Sequence, residues 1–413
     1  MKMNSEKNGL RSTIIPMVIL GVMFFITGFG VGISGILIPF LQDAFALNKM
    51  ESYLVTAAIF SSFVVFGVPS GYITQKIGYK KSMVVAFFVM ALGMLLFVPS
   101  AKANSFVLFL VALFIGGIGN TILQTAINPY ITILGPKESA AMRISLMGIM
   151  NKVAWWIGPL FLGIFLDFQN VYLDDLIFPF YLVTGILVVL GIFMFYAPLA
   201  EIEPEEESNK ETQNMHLNDS VFNHPHLILG IIALFLYVGI ETLPMASILD
   251  FARLVFPDSG DLAQYSKFVP GGLIAGYIFG VLTIPRLISQ TRALIAFSVL
   301  GILSGMLLIY LPGEYGIYCF VGLGFSNSLM WPAIWPLSIE GLGKLTKKGA
   351  SLLVMGIVGG AIVPLIFGSI LDLIAKGENI TIRSYQLAYW ILIPCYIYIL
   401  YFAIWGHKIR KKL

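Results

Sequence analysis

The sequence predicts an all-α integral membrane protein with twelve transmembrane helices in two halves of six. Of its 413 residues, 58% are hydrophobic and only 11% are charged, whereas soluble domains are about 25% charged. The apolar stretches reach about 20 residues or more, the length that a helix needs to cross the hydrocarbon core, and they lack the alternation of membrane β-strands. One long polar segment, 200–225, divides the chain near its middle.

The apolar stretches give the predicted helices in order. The first half holds six, at about 14–40, 51–73, 81–99, 104–130, 139–166 and 176–198. The second half holds six more, at about 224–248, 264–286, 291–311, 314–338, 347–374 and 384–407. The first stretch is longer than the apolar region of a signal peptide and has no small-residue cleavage site, so we expect it to remain as a helix.

The two halves repeat each other. At an offset of 205 residues, several positions carry the same residue: Gly119 and Gly324, Pro159 and Pro364, Gly163 and Gly368, Asp167 and Asp372. We therefore predict an N-terminal half over 1–199, a cytoplasmic linker over 200–223 and a C-terminal half over 224–413. Most of the 25 lysines and arginines fall in segments that are cytoplasmic when both termini are inside, which predicts that orientation.

An amide stripe marks the fourth predicted helix. Asn120, Gln124 and Asn128 are spaced i, i+4, i+8, so they share one helical face, and Pro129 follows directly. Amides in an apolar helix line a polar pocket or join neighbouring helices by hydrogen bonds. We predict that this stripe binds the hydroxyl groups of a solute.

The tenth predicted helix carries the matching stripe. At an offset of 207, Asn327, Trp331 and Trp335 take the places of the three amides. A sugar has C–H groups on one ring face and hydroxyls at its edge, so indole faces from one half and amides from the other suit it. Core packing is the alternative for the two tryptophans.

Two charged residues lie in the middle of predicted helices, Lys152 in the fifth and Glu241 in the seventh. A charge at the bilayer centre costs at least about 2.5–3.5 kcal/mol, and such residues usually face a cavity or a partner. We expect Lys152, with its neighbour Asn151, to bind substrate, and Glu241 to bind a coupling ion. A structural ion pair is the alternative. Pro244 predicts a break in the seventh helix.

The residues that an enzyme, a metal site or a nucleotide-binding loop needs are not found in the sequence. The four histidines lie near the linker and the C-terminus, and no hydrolytic triad or metal cluster can be assembled from them. Gly117-Ile118-Gly119 follows no strand, so it is no nucleotide loop. We expect no enzymatic activity, no bound metal, no organic cofactor and no nucleic-acid partner.

Several motifs carry a resemblance to a known family. The segment GYITQKIGYKK (71–81) is similar to the loop between helices 2 and 3 of the major facilitator superfamily. The segment LQTAINPYITILGPKESAAMRISLMGIMNK (123–152) resembles the fucose:proton symporter family, and most of all its bacterial glucose/galactose branch. WPAIWPLSIEGLGK (331–344) and MGIVGGAIVP (355–364) agree with that branch.

The resemblance implies an importer of a hexose that works by alternating access. The sugar is glucose- or galactose-like, with fucose and an amino sugar as alternatives. The resemblance also implies a bacterial cytoplasmic (inner) membrane, with the sugar and the bilayer as partners, and a monomer. The family's pattern has acidic residues where this chain has Gly35 and Gln124, so a proton must be carried elsewhere, and Glu241 is the remaining candidate. Coupling to H⁺, coupling to Na⁺ and uncoupled facilitation stay open. The rival interpretations are an exporter of amphiphiles and a membrane sugar sensor. The amide-rich pocket opposes the first, and the short linker, which cannot hold a signalling domain, opposes the second.

Overall fold

The computed structural model describes residues 2–47, 49–165, 172–201, 220–257, 262–375 and 380–410, and these residues are helical or form connections, with no strand among them. Uninterrupted helices account for most of this part of the chain. They are α1 (Lys2–Ala44), α2 (Lys49–Ile77), α3 (Tyr79–Lys102), α4 (Phe106–Ile133), α5 (Ala140–Gly163), α6 (Ile177–Tyr196), α7 (Pro225–Val255), α8 (Phe268–Thr283) and α9 (Gln290–Tyr310).

The last three spans are built of shorter helical pieces. The span α10 (Gly313–Ile339) contains Gly313–Gly316, Cys319–Asn327 and Met330–Ile339. The span α11 (Gly343–Ala375) contains Thr346–Met355 and Gly359–Ala375, joined by a 3₁₀ turn at Gly356–Val358. The span α12 (Ile382–Lys408) contains Ile382–Ala388 and Leu392–Ile404, joined by a 3₁₀ turn at Tyr389–Ile391.

The helices make the chain a multi-pass membrane protein. Within the described residues, ten spans are long and apolar enough to cross a bilayer, and a shorter apolar stretch lies at Ile14–Gly30 of α1. A helix stands at each of the twelve predicted positions. The number of membrane crossings stays a prediction, because α1 and α5 are not among those ten spans.

The predicted break in the seventh helix is wrong. The helix α7 continues from Pro225 to Val255 with Pro244 inside it. Proline lacks an N–H and leaves the carbonyl four residues earlier without its helical donor. That carbonyl belongs to Ile240, and the Nδ2 atom of Asn327 donates to it over 3.0 Å. A side chain of α10 therefore completes the hydrogen bonds of α7 and keeps it continuous.

The residues group into two contact units that depart from the order of the sequence. The first unit is formed by 1–135, 150–206 and 344–354, and the second by 136–149, 207–343 and 355–413. The first part of α5 thus packs with the second unit, and the first part of α11 packs with the first unit. The predicted limits of the halves stay a prediction, and 202–219 of the linker lie outside the described residues.

The repeat appears in the packing of each unit. A Cβ at Gly119 would lie 2.6 Å from the backbone nitrogen of Met90 on α3, and a Cβ at Gly324 would meet the backbone of Val269 on α8. Only a residue without a side chain allows two helices to approach this closely, as in other membrane bundles. The matched glycines therefore fix α4 and α10 against their neighbours.

Candidate functional site

The amide stripe of α4 lies on one face, as predicted. The Nε2 atom of Gln124 is 3.4 Å from Oδ1 of Asn120, and Nδ2 of Asn128 donates to the backbone oxygen of Gln124 over 2.9 Å. Asn120 and Gln124 are half-buried, whereas Asn128 is fully buried. The Oδ1 atom of Asn128 has no hydrogen-bond partner among the described residues. Asn128 therefore holds a buried acceptor for which the described residues supply no donor.

Asn151 joins α5 to α1. Its Nδ2 atom donates to the backbone oxygen of Phe24 over 3.1 Å and to Oγ1 of Thr27 over 3.0 Å. The side chain is half-buried, and these bonds use its donors. Asn151 thus has a structural contact in the first unit, and these two bonds leave its carbonyl oxygen unused.

Lys152 is buried in the first unit, with only 4% of its surface exposed. Its Nζ atom lies 3.9 Å from the centre of the Trp155 ring, a cation–π contact. Trp156, the next residue, is 46% exposed. Of the two adjacent tryptophans, Trp155 therefore accompanies the lysine, and its indole N–H is buried with no acceptor among the described residues.

Glu241 lies in the second unit in a cluster of tyrosines. The Tyr237 hydroxyl, one turn earlier on α7, donates a hydrogen bond to the Glu241 carboxylate, and Tyr237 is also hydrogen-bonded to Tyr277 of α8. Glu241 is only 8% exposed. The carboxylate is thus held in the core of the unit by a chain of hydroxyl groups.

The two tryptophans of α10 stack on each other beside this cluster. The ring centres of Trp331 and Trp335 are 5.3 Å apart at an angle of 26°. Trp331 also contacts the ring of Tyr237, with 6.2 Å between centres. Trp331 is half-buried, and Trp335 is fully buried with an indole N–H that has no acceptor among the described residues.

Asn327 is engaged by the protein on both sides. Its Nδ2 atom donates to Ile240 of α7, and its Oδ1 atom accepts from the Tyr396 hydroxyl of α12 over 2.9 Å. The residue is fully buried. Its predicted contact with a solute stays a prediction. The two hydrogen bonds show that Asn327 joins α10 to α7 and α12.

Tyr237 and Tyr277 belong to the Glu241 cluster although no sequence pattern singles them out. Tyr237 precedes Glu241 by four residues, so the spacing alone would have placed it on the same face of α7. Tyr277 matches Tyr72 in the internal repeat, and Tyr72 is 65% exposed. Comparing the two halves of the chain therefore does not indicate that Tyr277 is buried and Tyr72 is not. Only the packing of α8 shows that Tyr277 reaches the carboxylate cluster. No group of three or more metal-ligating side chains occurs in the described part of the chain.

Known proteins share the family and the fold of this chain. Residues 20–364 match the family model described as the Major Facilitator Superfamily. The chain is 30% identical to a glucose/galactose transporter of Brucella abortus, over 98% of this chain and 97% of that protein. It is 27% identical to the L-fucose-proton symporter of Escherichia coli over 88% of each chain. The crystal structure of the transporter FucP in its outward conformation has the same fold, with a TM-score of 0.81, 24% identity and coverage of 95% of this chain and 98% of that one.

Proposed function

The chain belongs to the major facilitator superfamily, within its fucose:proton symporter family, and we propose that it imports a hexose by cation-coupled alternating access. The sugar is glucose- or galactose-like, because relatives that are 30% and 32% identical to this chain are named as glucose/galactose transporters, the second of them putatively. The cell location we propose is a bacterial inner membrane, with both termini in the cytoplasm. The protein is a transporter and not an enzyme.

One observation carries the proposal. Asn128 and Trp335 occupy matched places in the two halves, and each holds a buried polar atom with no partner among the described residues. An unsatisfied buried polar group costs about 1–3 kcal/mol, so proteins rarely keep one without a use. A sugar hydroxyl is both donor and acceptor, and it can satisfy the carbonyl of Asn128 or the indole N–H of Trp335.

The remaining groups divide between the sugar and the cation. The amides of Asn120 and Gln124 exchange hydrogen bonds with hydroxyls, and the carbonyl of Asn151 accepts one. Lys152 adds a charged donor. Trp331 presents its ring to the C–H face of the sugar. Asn327 holds the helices that carry these groups.

Glu241 is the coupling group in this proposal. A carboxylate can take up a proton or bind Na⁺, whereas Gly35 and Gln124 can do neither. Its hydrogen bond from Tyr237 places it beside Trp331, so cation and sugar would bind close to each other. Uncoupled facilitation remains the alternative. It is favoured if neither an H⁺ gradient nor a Na⁺ gradient drives accumulation of the sugar.

Entrance counterflow tests sugar binding without requiring coupling. Proteoliposomes loaded with unlabelled glucose should take up labelled glucose transiently, and galactose should compete. Trp335→Phe keeps an aromatic ring, although a smaller one, and removes the N–H, so it should weaken the apparent affinity about fivefold, equivalent to about 1 kcal/mol. Trp405→Phe is the matched control, because Trp405 is 60% exposed and lies outside the proposed site. Absence of counterflow with glucose, galactose and fucose would contradict the proposal.

A further inference from the structure

The first part of α5 is held against α8 by small residues. A Cβ at Gly148 would lie 2.6 Å from the ring of Tyr277, and a Cβ at Gly280 would lie 3.0 Å from Oγ of Ser145. Ala141 packs into an apolar cluster with Ile284, at the end of α8. This contact explains why 136–149 belong to the second unit while the rest of α5 belongs to the first.

Tyr277 has a second contact at the other end of its side chain. Its ring lies on Gly148, and its hydroxyl is hydrogen-bonded to that of Tyr237, which donates to Glu241. The Tyr277 side chain therefore takes part in the contact between α5 and α8. It also takes part in the chain of hydroxyls that ends on the Glu241 carboxylate. The span α11 faces this stretch of α7 with groups that carry no charge, namely Val363 against Gly239 and the Gly360 carbonyl at 3.2 Å from Oγ1 of Thr242.

We propose that Tyr277 is a positioning residue that makes the α5–α8 contact depend on the state of Glu241. The inference rests on the proposed function, in which Glu241 binds the coupling cation. Hydrogen bonds to an ionised carboxylate are roughly twice as strong as neutral ones, so the anionic Glu241 holds Tyr237, and Tyr237 holds Tyr277 over Gly148. A cation on Glu241 weakens the first bond, the Tyr277 ring is released, and α5 can part from α8.

Close packing allows a movement of Tyr277 to change the contact between α5 and α8. No gap separates the Tyr277 ring from the backbone of Gly148, so a displacement of the ring changes the helix contact directly. The repeat supplies a comparison within the same chain. Tyr72 stands at the matched place on α2 and is 65% exposed, so the burial of Tyr277 comes from its contacts and not from its position in the repeat.

Two measurements test the link, and the first does not depend on transport. In a background with Cys319 and Cys395 replaced by serine, Ser145→Cys reports the α5–α8 contact through its rate of reaction with a maleimide in detergent. Tyr277→Phe and Glu241→Gln should each raise that rate several-fold, whereas Tyr72→Phe should leave it unchanged. An unchanged rate in Tyr277→Phe, in protein whose unfolding temperature equals that of its parent, would overturn the inference.

The second measurement compares counterflow with gradient-driven accumulation across external pH. Tyr277→Phe should keep counterflow within about twofold of wild type, because the sugar site is intact, and should lose most accumulation at every pH. A merely structural role would lower both activities in parallel and leave the shape of the pH profile unchanged, which would overturn the inference. Absence of counterflow in the wild-type protein would instead overturn the proposed function, while the labelling result would still decide whether Tyr277 controls the contact.

Discussion

Two asparagines of the predicted site show how an amide can serve either the fold or a ligand. Asn327 exchanges hydrogen bonds with α7 and α12 and is fully buried. Asn120 contacts Gln124 of its own helix, is half-buried and lines a small cavity of the first unit. The side chains are chemically identical, so their surroundings alone distinguish a residue that joins helices from one that can meet a solute.

This difference gives a stability prediction. Asn327→Ala removes two interhelical hydrogen bonds and should lower the stability by about 1–3 kcal/mol, since such bonds in membrane proteins contribute about 0.6–1.7 kcal/mol each. Tyr396→Phe removes only one of them and should cost less. Thermal unfolding in detergent measures both. Asn120→Ala should keep the unfolding temperature and weaken sugar affinity, and the reverse pattern would contradict these assignments.

Lys152 gives a prediction about affinity. It lies over the Trp155 ring with 4% of its surface exposed. Lys152→Met keeps most of the volume and removes the charge, so a lost charged hydrogen bond of about 1.5–3 kcal/mol should weaken hexose affinity roughly tenfold or more. Titration of sugar binding by tryptophan fluorescence measures this effect. If the variant is less stable but its folded fraction binds the sugar with normal affinity, the lysine has a structural role instead.

At the level of single residues, the sequence singles out those that differ from the apolar helix around them, and their role in binding stays a prediction. Asn128, Trp335, Lys152 and Glu241 were visible because polar or large aromatic groups are unusual in their surroundings. Tyr237 and Tyr277 were not visible, because tyrosine is common in membrane helices and their importance depends on which helices pack together. Nothing in the sequence distinguishes Tyr277 from the exposed Tyr72.

Among the elements, the contact of α1 with α5 makes a sharp test of helix packing. A Cβ at Gly28 would collide with the backbone of Asn151, whereas a Cβ at Gly30 would meet nothing within 4 Å. Gly28→Ala should therefore destabilise the protein by about 1–3 kcal/mol. Gly30→Ala should be neutral or stabilise it by up to about 1 kcal/mol, because alanine favours the helix. Thermal unfolding of the two variants compares them, and equal unfolding temperatures would contradict the packing described here.

Helix positions were predictable from apolar length, but helix continuity was not. The sequence placed a break in α7 at Pro244 and none in α10. The structure has a continuous α7, because Asn327 supplies the missing donor, and an α10 made of separate pieces on either side of Ser328 and Leu329. Whether a proline interrupts a helix depends on side chains from neighbouring helices, which local sequence does not reveal.

At the scale of the whole molecule, the internal repeat and the contact units describe different properties. The repeat records the order of the chain in two halves. The contact units record packing, and they exchange 136–149 and 344–354 between the halves. Sequence comparison within the chain finds the first property but not the second, because matching residues do not reveal which helices a segment packs against. The proposed dependence of the α5–α8 contact on Glu241 concerns one of these exchanged segments.

The central claim is that the protein accumulates a hexose at the expense of a cation gradient. The most direct test is uptake of labelled glucose or galactose into proteoliposomes under an inward pH gradient or an inward Na⁺ gradient, each imposed alone. We predict accumulation above the external concentration with one of the two gradients, and its loss in Glu241→Gln while counterflow persists. Equal final concentrations inside and outside under both gradients, or full accumulation in Glu241→Gln, would contradict the account.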